Sequence, residues 1–264
     1  MIRVGVLGAA GRMGRQVCTA VEDDSDLALV AAIDPAAGGQ RIGSLIGHPE
    51  NGVTISEELD TLLQAEVEVC VDFTRPEAVM DDIGWAIDHA MHIVVGTTGI
   101  TPEQLGEIEF LLEREGGETN VIVAPNFAIG AVLMQRFAAE AARFFPAVEI
   151  IELHHDGKVD APSGTALDTA MRLTRERERW AGPGAESMPG VRGGELDGVR
   201  VHSVRLPGLV AHQEVIFGAP GQTLTIRHDS LDRSSFMPGV LLAIKAIHGR
   251  PGLTVGLEPL LEAT

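Results

Sequence analysis

Side chains that can transfer protons or attract anions are concentrated in one short segment, residues 152–166. His154 and His155 stand side by side, and Lys158, one of only two lysines in the chain, follows them. Imidazole and ammonium groups both donate protons to reacting molecules, and an ammonium group also attracts a carboxylate. Because the chain has a net charge of −18, such a cationic cluster is unusual in it. The segment predicts a catalytic site rather than part of a core.

The two histidines have alternative interpretations. A lone buried histidine is more often structural, and paired histidines can bind a metal. No Asp, Glu or Cys at a suitable spacing completes a ligand set here, so the sequence predicts no metal, and Asp156 and Asp160 are interpreted as loop residues. Because neighbouring strand residues point to opposite faces, we expect one histidine to face the reacting molecule and the other to bind or support it.

A helix is predicted to begin directly after this cluster. Ser163, Gly164 and Thr165 precede an apolar pattern of helical spacing that runs to about residue 178. The free amides and the dipole of a helix start favour a carboxylate, although Ser163 taken alone is more simply an N-cap. Together with Lys158, this helix start predicts binding of a small acidic molecule.

The beginning of the chain carries a nucleotide-binding pattern. A glycine-rich turn separates an apolar strand at residues 3–7 from a helix at about 13–22, and a second strand, 27–33, ends at Asp34. Glycines in such a turn let a pyrophosphate approach the helix start, and the acid can accept hydrogen bonds from ribose hydroxyls. A merely structural turn is the alternative. The turn residues predicted to bind the dinucleotide are Gly8, Ala9, Ala10, Gly11, Arg12 and Met13.

Further strands predict loops at the same edge of a parallel sheet. Strands at 67–72, 92–96 and 120–124 alternate with helices near 76–90 and 102–114, and ligands collect beyond the carboxyl ends of parallel strands. Each loop alone is an ordinary turn, but jointly they outline a cofactor cleft. Its predicted residues are Phe73, Gly96, Thr97, Thr98, Ala124, Pro125, Asn126 and Phe127.

The second half of the chain predicts a different architecture. A helix near 130–144, a strand at 148–153 and the helix from 163 to 178 precede a surface loop at 181–198, rich in Gly, Pro and acidic residues. Strands at 199–206, 213–217 and 222–228 then follow without intervening helices, which indicates an antiparallel or mixed sheet. A last helix, about 236–248, and a strand at 253–255 return to the first domain.

The predicted fold is therefore α/β: a Rossmann-like doubly wound parallel sheet with a second α+β domain for substrate binding and oligomerisation, built on a mixed sheet. The predicted domains are residues 1–127 for the dinucleotide, 128–235 for substrate and assembly, and 236–264 as a returning segment. Only the helix at 163–178 is obviously available to cover the second sheet. Its other face is expected to be buried against neighbouring subunits.

Composition narrows the possible partners. The strong acidity disfavours nucleic acid and anionic membranes, and an aromatic content of 4% without tyrosine disfavours base stacking. Cys18 and Cys70 lie in apolar patterns and are expected to be buried, unpaired thiols. We expect no leader segment, and the sequence contains no apolar run of ~18 residues. We expect a cytoplasmic protein.

With these motifs combined, the chain resembles the 4-hydroxy-tetrahydrodipicolinate reductase (dihydrodipicolinate reductase) family of bacterial lysine biosynthesis over essentially its whole length. The segment that is nearly diagnostic is Glu-Leu-His-His followed by Lys-Val-Asp-Ala-Pro-Ser-Gly-Thr. The segments that carry the resemblance are Gly8–Gly14, Asp34, Gly96–Gly99, Ala124–Gly130, Glu152–Ala166 and Gly208–Glu214.

The resemblance implies an activity and roles for residues. The reaction would be reduction of a cyclic dicarboxylic imine by NADH or NADPH, with loss of water, giving tetrahydrodipicolinate for lysine and diaminopimelate biosynthesis. His154 would donate or accept the proton, Lys158 would donate one, and the family's usual homotetramer would form. The implied substrate contacts are His155, Ser163, Gly164 and Thr165.

One departure concerns cofactor choice. Some members carry an arginine directly after the acid of the second strand, for the 2′-phosphate of NADPH, whereas Pro35 stands there in this chain. The expectation is use of NADH or of both nucleotides.

Two other functions compete with this one. A related two-domain amino-acid or semialdehyde dehydrogenase is possible, but the aldehyde enzymes need a nucleophilic cysteine, and Cys18 and Cys70 lie within predicted elements. A non-catalytic dinucleotide sensor is the third possibility, although it has no need of the His-His and Lys cluster. Activity assays of point variants in this cluster distinguish the enzyme from the sensor.

Overall fold

The structure is a computed structural model that describes residues 1–176 and 186–261. Contacts divide the chain into two compact units. The first consists of Met1–Phe127 with Phe236–Thr264, and the second consists of Ala128–Ser235. The binding functions assigned to these segments from the sequence stay predictions.

Strands and helices alternate through the first unit, and strands dominate the second. The strands are β1 (Ile2–Leu7), β2 (Leu27–Ile33), β3 (Val69–Asp72), β4 (His92–Val95), β5 (Asn120–Val123), β6 (Ala147–His154), β7 (Gly194–Leu196), β8 (Val199–Arg205), β9 (Ala211–Ala219), β10 (Gln222–Ser230) and β11 (Gly252–Val255). The helices are α1 (Arg12–Glu22), α2 (Ile42–Ile46), α3 (Asp60–Gln64), α4 (Val79–Asp88), α5 (Pro102–Glu115), α6 (Ile129–Ala142), α7 (Gly164–Glu176), α8 (Met237–Ala246) and α9 (Glu258–Leu261).

The sheet of the first unit has six parallel strands in the order β11-β5-β4-β3-β1-β2. Strands β3, β4 and β5 have four residues each, three of them Val, Ile or Cys, and they are almost wholly buried, as expected for parallel strands covered on both faces. Helices α4 and α5 share one core with residues of the sheet, and α1 and α8 also contact it. The predicted Rossmann-like parallel sheet is confirmed.

The register of this sheet brings the carboxyl ends of its strands to one level. Leu7 pairs with Asp72, Asp72 pairs with Val95, and Val95 pairs with Val123. The chain also crosses over at β1, which lies between β3 and β2. Such a switch in strand order leaves a crevice at the carboxyl edge. The loops that the sequence marks for cofactor binding leave the sheet there.

The sheet of the second unit has the order β10-β9-β6-β8-β7. Strands β6 and β8 run parallel, whereas the other neighbouring pairs are antiparallel, so the predicted mixed sheet is confirmed. Helices α6 and α7 pack into one core with alternate residues of β6, including Val148 and Ile150. Two helices therefore cover this face, rather than the single helix expected from the sequence.

Other details of the prediction were wrong or concern residues outside the described part of the chain. The short helices α2 and α3 have five residues each, too few for a helical period to be detected. Strand β7 lies within the predicted loop 181–198, of which residues 181–185 lie outside the described residues. The helix expected to reach residue 178 is described to Glu176, and residues 177–178 are outside the description. None of the helices in the described part of the chain is long and apolar enough to cross a membrane.

Candidate functional site

The glycine-rich turn between β1 and α1 is packed too tightly for side chains. Gly8 has a φ of 71°, and a Cβ added to it would lie 2.6 Å from the backbone oxygen of Phe73. A Cβ on Gly14 would lie 2.0 Å from the oxygen of Gly8. Gly11, which has no side chain, is the N-cap residue of α1, and its position leaves the first-turn amides accessible to an anion. The turn therefore fits the pyrophosphate of a dinucleotide.

Asp34 is held in a fixed position beside this turn. Its Oδ2 accepts a hydrogen bond from the amide of Ala10 at 3.0 Å, and its Oδ1 accepts one from the amide of Ala36 at 3.0 Å. Each carboxylate oxygen can accept a second hydrogen bond. The arrangement suits a ribose diol, whose two hydroxyls are donors.

A cavity of about 330 Å³ opens at the carboxyl edge of the sheet. The rings of Phe73 and Phe127 lie in its wall with centroids 5.9 Å apart. A Cβ on Gly96 would lie 2.2 Å from the Phe73 ring, so the glycine is needed for that ring's position. The lining residues are Met13, Phe73, Thr74, Pro76, Gly96, Thr97, Thr98, Pro125, Asn126, Phe127 and Phe236.

The structure thus brings together eight of the predicted cofactor residues in one cavity. Two lining residues, Pro76 and Phe236, were missed by the sequence analysis, and a third, Thr74, lies with Phe73 in a loop that was placed at this edge without a separate role for Thr74. Thr74 and Pro76 continue the loop that begins at Phe73, and that continuity was the available signal. The predicted residues that form the neighbouring turn or strand ends without lining the cavity are Gly8, Ala9, Ala10, Gly11, Arg12, Asp34 and Ala124.

Two carboxylates, also missed, support the wall of this cavity. Asp72 is fully buried, and its Oδ1 accepts hydrogen bonds from the hydroxyls of Thr97 at 2.7 Å and Thr74 at 2.9 Å. Thr74 Oγ1 also lies 3.2 Å from Asp82 Oδ2. Burial, together with the charge of Asp72, raises the pKa of Asp82 to about 7. The pair fixes two hydroxyls of the cavity wall.

In the second unit, His154 is the last residue of β6. Its Nδ1 lies 2.5 Å from Oε2 of Glu152, and its Nε2 has no hydrogen-bond partner among residues 1–176 and 186–261. Burial lowers the pKa of His154; Glu152 opposes that effect, and the charges of Lys158 and Arg205 add to it. Nδ1 is therefore held by a carboxylate, whereas Nε2 remains available to a bound molecule.

Glu152 is fully buried and is surrounded by donors. Arg205 makes two hydrogen bonds to it, at 2.9 Å and 2.8 Å, and the amide of Ser163 donates a third at 3.3 Å. Burial acts to raise the pKa of Glu152, but hydrogen bonds from Arg205, Ser203 and His154 bring that pKa below its usual value. Glu152 is therefore an ionised carboxylate.

The other predicted residues of the cluster lie around this carboxylate. Lys158 forms an ion pair with Asp160, Nζ to Oδ1, at 2.8 Å. The hydroxyl of Ser163 accepts a hydrogen bond from the amide of Ala166 at 3.2 Å, and Ser163 is buried. In the structure Ser163 caps the start of α7, which favours the alternative interpretation of this residue as an N-cap over a substrate contact.

The start of α7 keeps two donors available. The amides of Gly164 and Thr165 have no hydrogen-bond acceptor in the described part of the chain, whereas the next amide is satisfied by Ser163. His155 is exposed. A carboxylate close to Lys158 and to these amides would meet a cation and two donors.

Glu152 and Arg205 are functional candidates to which the sequence analysis assigned no role. Glu152 precedes His154 by two residues on the same strand, so their side chains share a face, and this spacing was a usable signal. Arg205 pairs with His154 in register across β6 and β8, which only the tertiary structure reveals. In the described residues, no group of three or more His, Cys, Asp or Glu is placed to hold a metal.

Comparison with known proteins covers the whole chain. Residues 2–127 match the family model described as dihydrodipicolinate reductase, N-terminus, and residues 130–261 match the model of its C-terminus. A 4-hydroxy-tetrahydrodipicolinate reductase of Nocardia farcinica is 51% identical over 267 residues, covering 99% of both chains. The reductase of Mycobacterium marinum is 51% identical over 264 residues, again covering 99% of both.

Solved structures agree with these relatives. A dipicolinate-bound dihydrodipicolinate reductase from Paenisporosarcina sp. TG-14 superposes with a TM-score of 0.84 at 42% identity, covering 98% of this chain and 99% of that one. An amine dehydrogenase from Mycobacterium smegmatis, at 14% identity and a TM-score of 0.65 over 96% of this chain and 94% of that one, shows similarity of fold alone.

Proposed function

The chain belongs to the dihydrodipicolinate reductase family, and we propose that it reduces 4-hydroxy-tetrahydrodipicolinate to tetrahydrodipicolinate, with loss of water, in lysine and diaminopimelate biosynthesis. The observation that carries the proposal is His154, whose Nδ1 is held by a buried ionised carboxylate while Nε2 has no partner among the described residues. The cofactor is a nicotinamide dinucleotide, NADH or NADPH. When bound, it supplies a hydride.

The residues of the first unit would hold that dinucleotide. The turn from Gly8 to Met13 binds the pyrophosphate through its backbone amides, and Asp34 accepts hydrogen bonds from the ribose. The cavity between Phe73 and Phe127 excludes water from the nicotinamide end. These roles are supported by the missing room for a Cβ at Gly8 and by the two amides that fix Asp34.

The residues of the second unit would hold the substrate and supply the proton. Once the hydride has formed its bond to carbon, Nε2 of His154 donates a proton to the substrate atom on which negative charge develops, while Lys158 supplies positive charge and a second donor. The amides of Gly164 and Thr165 bind one carboxylate of the substrate, and His155 contacts it as well. The two carboxylates of the substrate are thus complementary to the charge of Lys158 and to the amides of Gly164 and Thr165.

The reaction is tested by oxidation of NADH with freshly prepared 4-hydroxy-tetrahydrodipicolinate. We expect loss of NADH absorbance only when substrate and protein are both present, and a product whose mass corresponds to the gain of a hydride and a proton and the loss of one water. Thr165→Ala should raise KM with little change in kcat, because it perturbs carboxylate binding without removing a proton donor. A protein that bound NADH yet left the substrate unreduced would contradict the proposal and favour a sensor.

The thiol chemistry of a semialdehyde dehydrogenase finds no support in the described residues. Cys18 and Cys70 are both free and buried. Burial raises the pKa of each thiol above its usual value, so neither forms a nucleophilic thiolate readily. The reductase remains the function that the site supports best.

Assembly as a homotetramer is part of the same proposal. One face of β6 packs with α6 and α7, but Ile151, Leu153 and Ile216 point to the opposite face and are not part of that core. Neighbouring subunits would bury this face. Light scattering should return four times the subunit mass of 28.0 kDa, and a monomer at micromolar concentration would contradict the assembly. The two free thiols and the nicotinamide cofactor also favour a cytoplasmic location.

A further inference from the structure

Glu152 is placed to control His154 without touching a bound molecule. Its side chain has no exposed surface, so a ligand in solvent meets His154 and Lys158 but not this carboxylate. Its Oε2 receives hydrogen bonds from His154 Nδ1 at 2.5 Å and Arg205 Nη1 at 2.9 Å, and its Oε1 receives them from Arg205 Nη2 at 2.8 Å and the Ser163 amide at 3.3 Å. The carboxylate acts through its neighbours.

The state of the carboxylate decides which nitrogen of His154 carries the proton. An ionised carboxylate is an acceptor only, and Arg205 occupies both of its oxygens with donors. In the neutral imidazole, Nδ1 must therefore carry the hydrogen, and Nε2 must carry the lone pair. On protonation, Nε2 receives the only proton that is not already engaged.

We infer that Glu152, clamped by Arg205, is a positioning residue that fixes the tautomer of His154 and thereby makes Nε2 the nitrogen that exchanges the catalytic proton. This inference rests on the proposed function. The carboxylate also stabilises the imidazolium that exists before the proton leaves, as a buried acid does for the histidine of hydrolytic triads. Arg205 limits that stabilisation, because its charge opposes a second cation beside it.

Replacement of Glu152 by glutamine tests this control of the His154 tautomer, because the hydrogen bonds from His154, Arg205 and Ser163 restrict where the amide nitrogen can lie. The amide nitrogen cannot occupy the Oε1 position, where Arg205 Nη2 and the Ser163 amide are both donors that cannot accept. At the Oε2 position it would replace the acceptor of one Arg205 donor, Nη1, which keeps its hydrogen bond to the Val204 carbonyl at 2.8 Å. His154 Nδ1 can accept from the amide there when the imidazole changes tautomer. Glu152→Gln should therefore convert the neutral ring to the Nε2–H form.

The expected kinetic result is specific to a positioning role. Glu152→Gln should lower kcat on the order of 10²-fold, with KM and the dissociation constant of NADH within about twofold of wild type. Its pH profile should shift to lower pH, because His154 loses a carboxylate and still faces Lys158 and Arg205. Glu152→Asp, which keeps the acceptor, should recover part of the loss.

A matched control is available on the same strand. Glu149 also binds an arginine and a histidine, Arg192 and His202, but it faces the opposite side of β6. Glu149→Gln makes the same chemical change and should keep kcat and its pH profile. Light scattering of every variant shows whether assembly is the same.

The tautomer itself is measured by ¹⁵N NMR of the imidazole rings, with the His154 signals assigned by difference from His154→Asn. Nδ1–H in the wild type and Nε2–H in Glu152→Gln would support the inference. The inference would be overturned by a wild-type His154 that carries its hydrogen on Nε2, or by a Glu152→Gln variant whose kcat and pH profile are unchanged. Failure of the wild type to reduce the substrate would contradict the proposed function instead, since the NMR measurement needs no turnover.

Discussion

The position of Asp34 predicts which nicotinamide nucleotide the protein prefers. Its two carboxylate oxygens are tied to the amides of Ala10 and Ala36 at 3.0 Å each, so the side chain cannot easily turn away from the ribose. The 2′-phosphate of NADPH would bring about −1.5 to −2 charges close to it. Pro35, next in the chain, supplies no compensating charge.

The size of the effect follows from Coulomb's law. Two unit charges about 5 Å apart repel by ~0.8 kcal/mol in water, so a phosphate of nearly two charges is disfavoured by about 1.5 kcal/mol. That free energy corresponds to roughly tenfold in kcat/KM. The exposed Arg12 of the glycine turn offsets part of this repulsion. We expect NADH to be used at least as well as NADPH, by up to about tenfold.

The assay compares kcat/KM for the two nucleotides at low and high salt. The preference should weaken with salt, because exposed charges are screened, and Asp34→Asn should raise the relative use of NADPH by up to about tenfold. Asp88→Asn, the same substitution at an exposed helix end, is the control and should leave the ratio unchanged. A hundredfold preference of the wild type for NADPH, worth ~2.7 kcal/mol, would refute the reasoning.

Three further predictions concern His154 and Lys158, the glycine turn, and the carboxylate pair of Asp72 and Asp82. His154→Ala should lower kcat on the order of 10²-fold and Lys158→Ala should lower kcat and raise KM, both with unchanged NADH affinity by fluorescence titration. In urea denaturation, Gly14→Ala should lower the free energy of unfolding by ~1–3 kcal/mol, since the new Cβ would lie 2.0 Å from a backbone oxygen. Gly106→Ala is the control: it has open space around it in α5 and should raise the free energy of unfolding by ~0.5–1 kcal/mol. The pKa of Asp82 rises from 3.8 to about 7 on folding, so the folded state holds the proton more tightly and stability falls as pH rises between those values. Asp82→Asn should make the fall in unfolding free energy between these pH values smaller by on the order of 1 kcal/mol, after allowance for partial exposure. An unchanged dependence of unfolding free energy on pH would contradict the interaction of Asp72 with Asp82.

Much of the first unit could be predicted because its signals are local. The strand ending at Leu7, the glycines that follow it and the acid at residue 34 lie in one βαβ unit, and each obeys a short-range rule about turns or buried strands. The loops at Gly96 and Ala124 could be assigned to one edge because parallel strands with intervening helices must end together. The register of Asp72 with Val95 shows that they do.

The interactions that set the chemistry could not be predicted in the same way. Arg205 reaches Glu152 from a neighbouring strand 53 residues away along the chain, and Thr97 reaches Asp72 across 25 residues. Neither pairing can be recognised from the spacing of residues in the sequence, since a charged residue on a strand of a mixed sheet is equally consistent with an exposed position. Burial of Glu152 follows only once α7 and β8 are packed around β6.

The electrostatics of the cluster imply that substrate and proton bind together. In the free protein the pKa of His154 lies below its usual value, because of burial and because Lys158 and Arg205 are close, so at neutral pH the ring is mainly neutral and lacks the proton that the proposed reaction requires of it. A dicarboxylate bound near Lys158 would offset that positive charge and raise the pKa of His154. Binding should therefore take up a proton from solution.

Calorimetry in two buffers with different ionisation enthalpies measures that proton. Dipicolinate, a dicarboxylate that cannot follow the same reduction with loss of water, is the probe, and uptake of a fraction of one proton per site is expected at neutral pH. His154→Asn should abolish the uptake while dipicolinate still binds through Lys158 and the amides of Gly164 and Thr165. Equal heats in both buffers for the wild type would mean that binding leaves the protonation of His154 unchanged, and would contradict this coupling of substrate and proton.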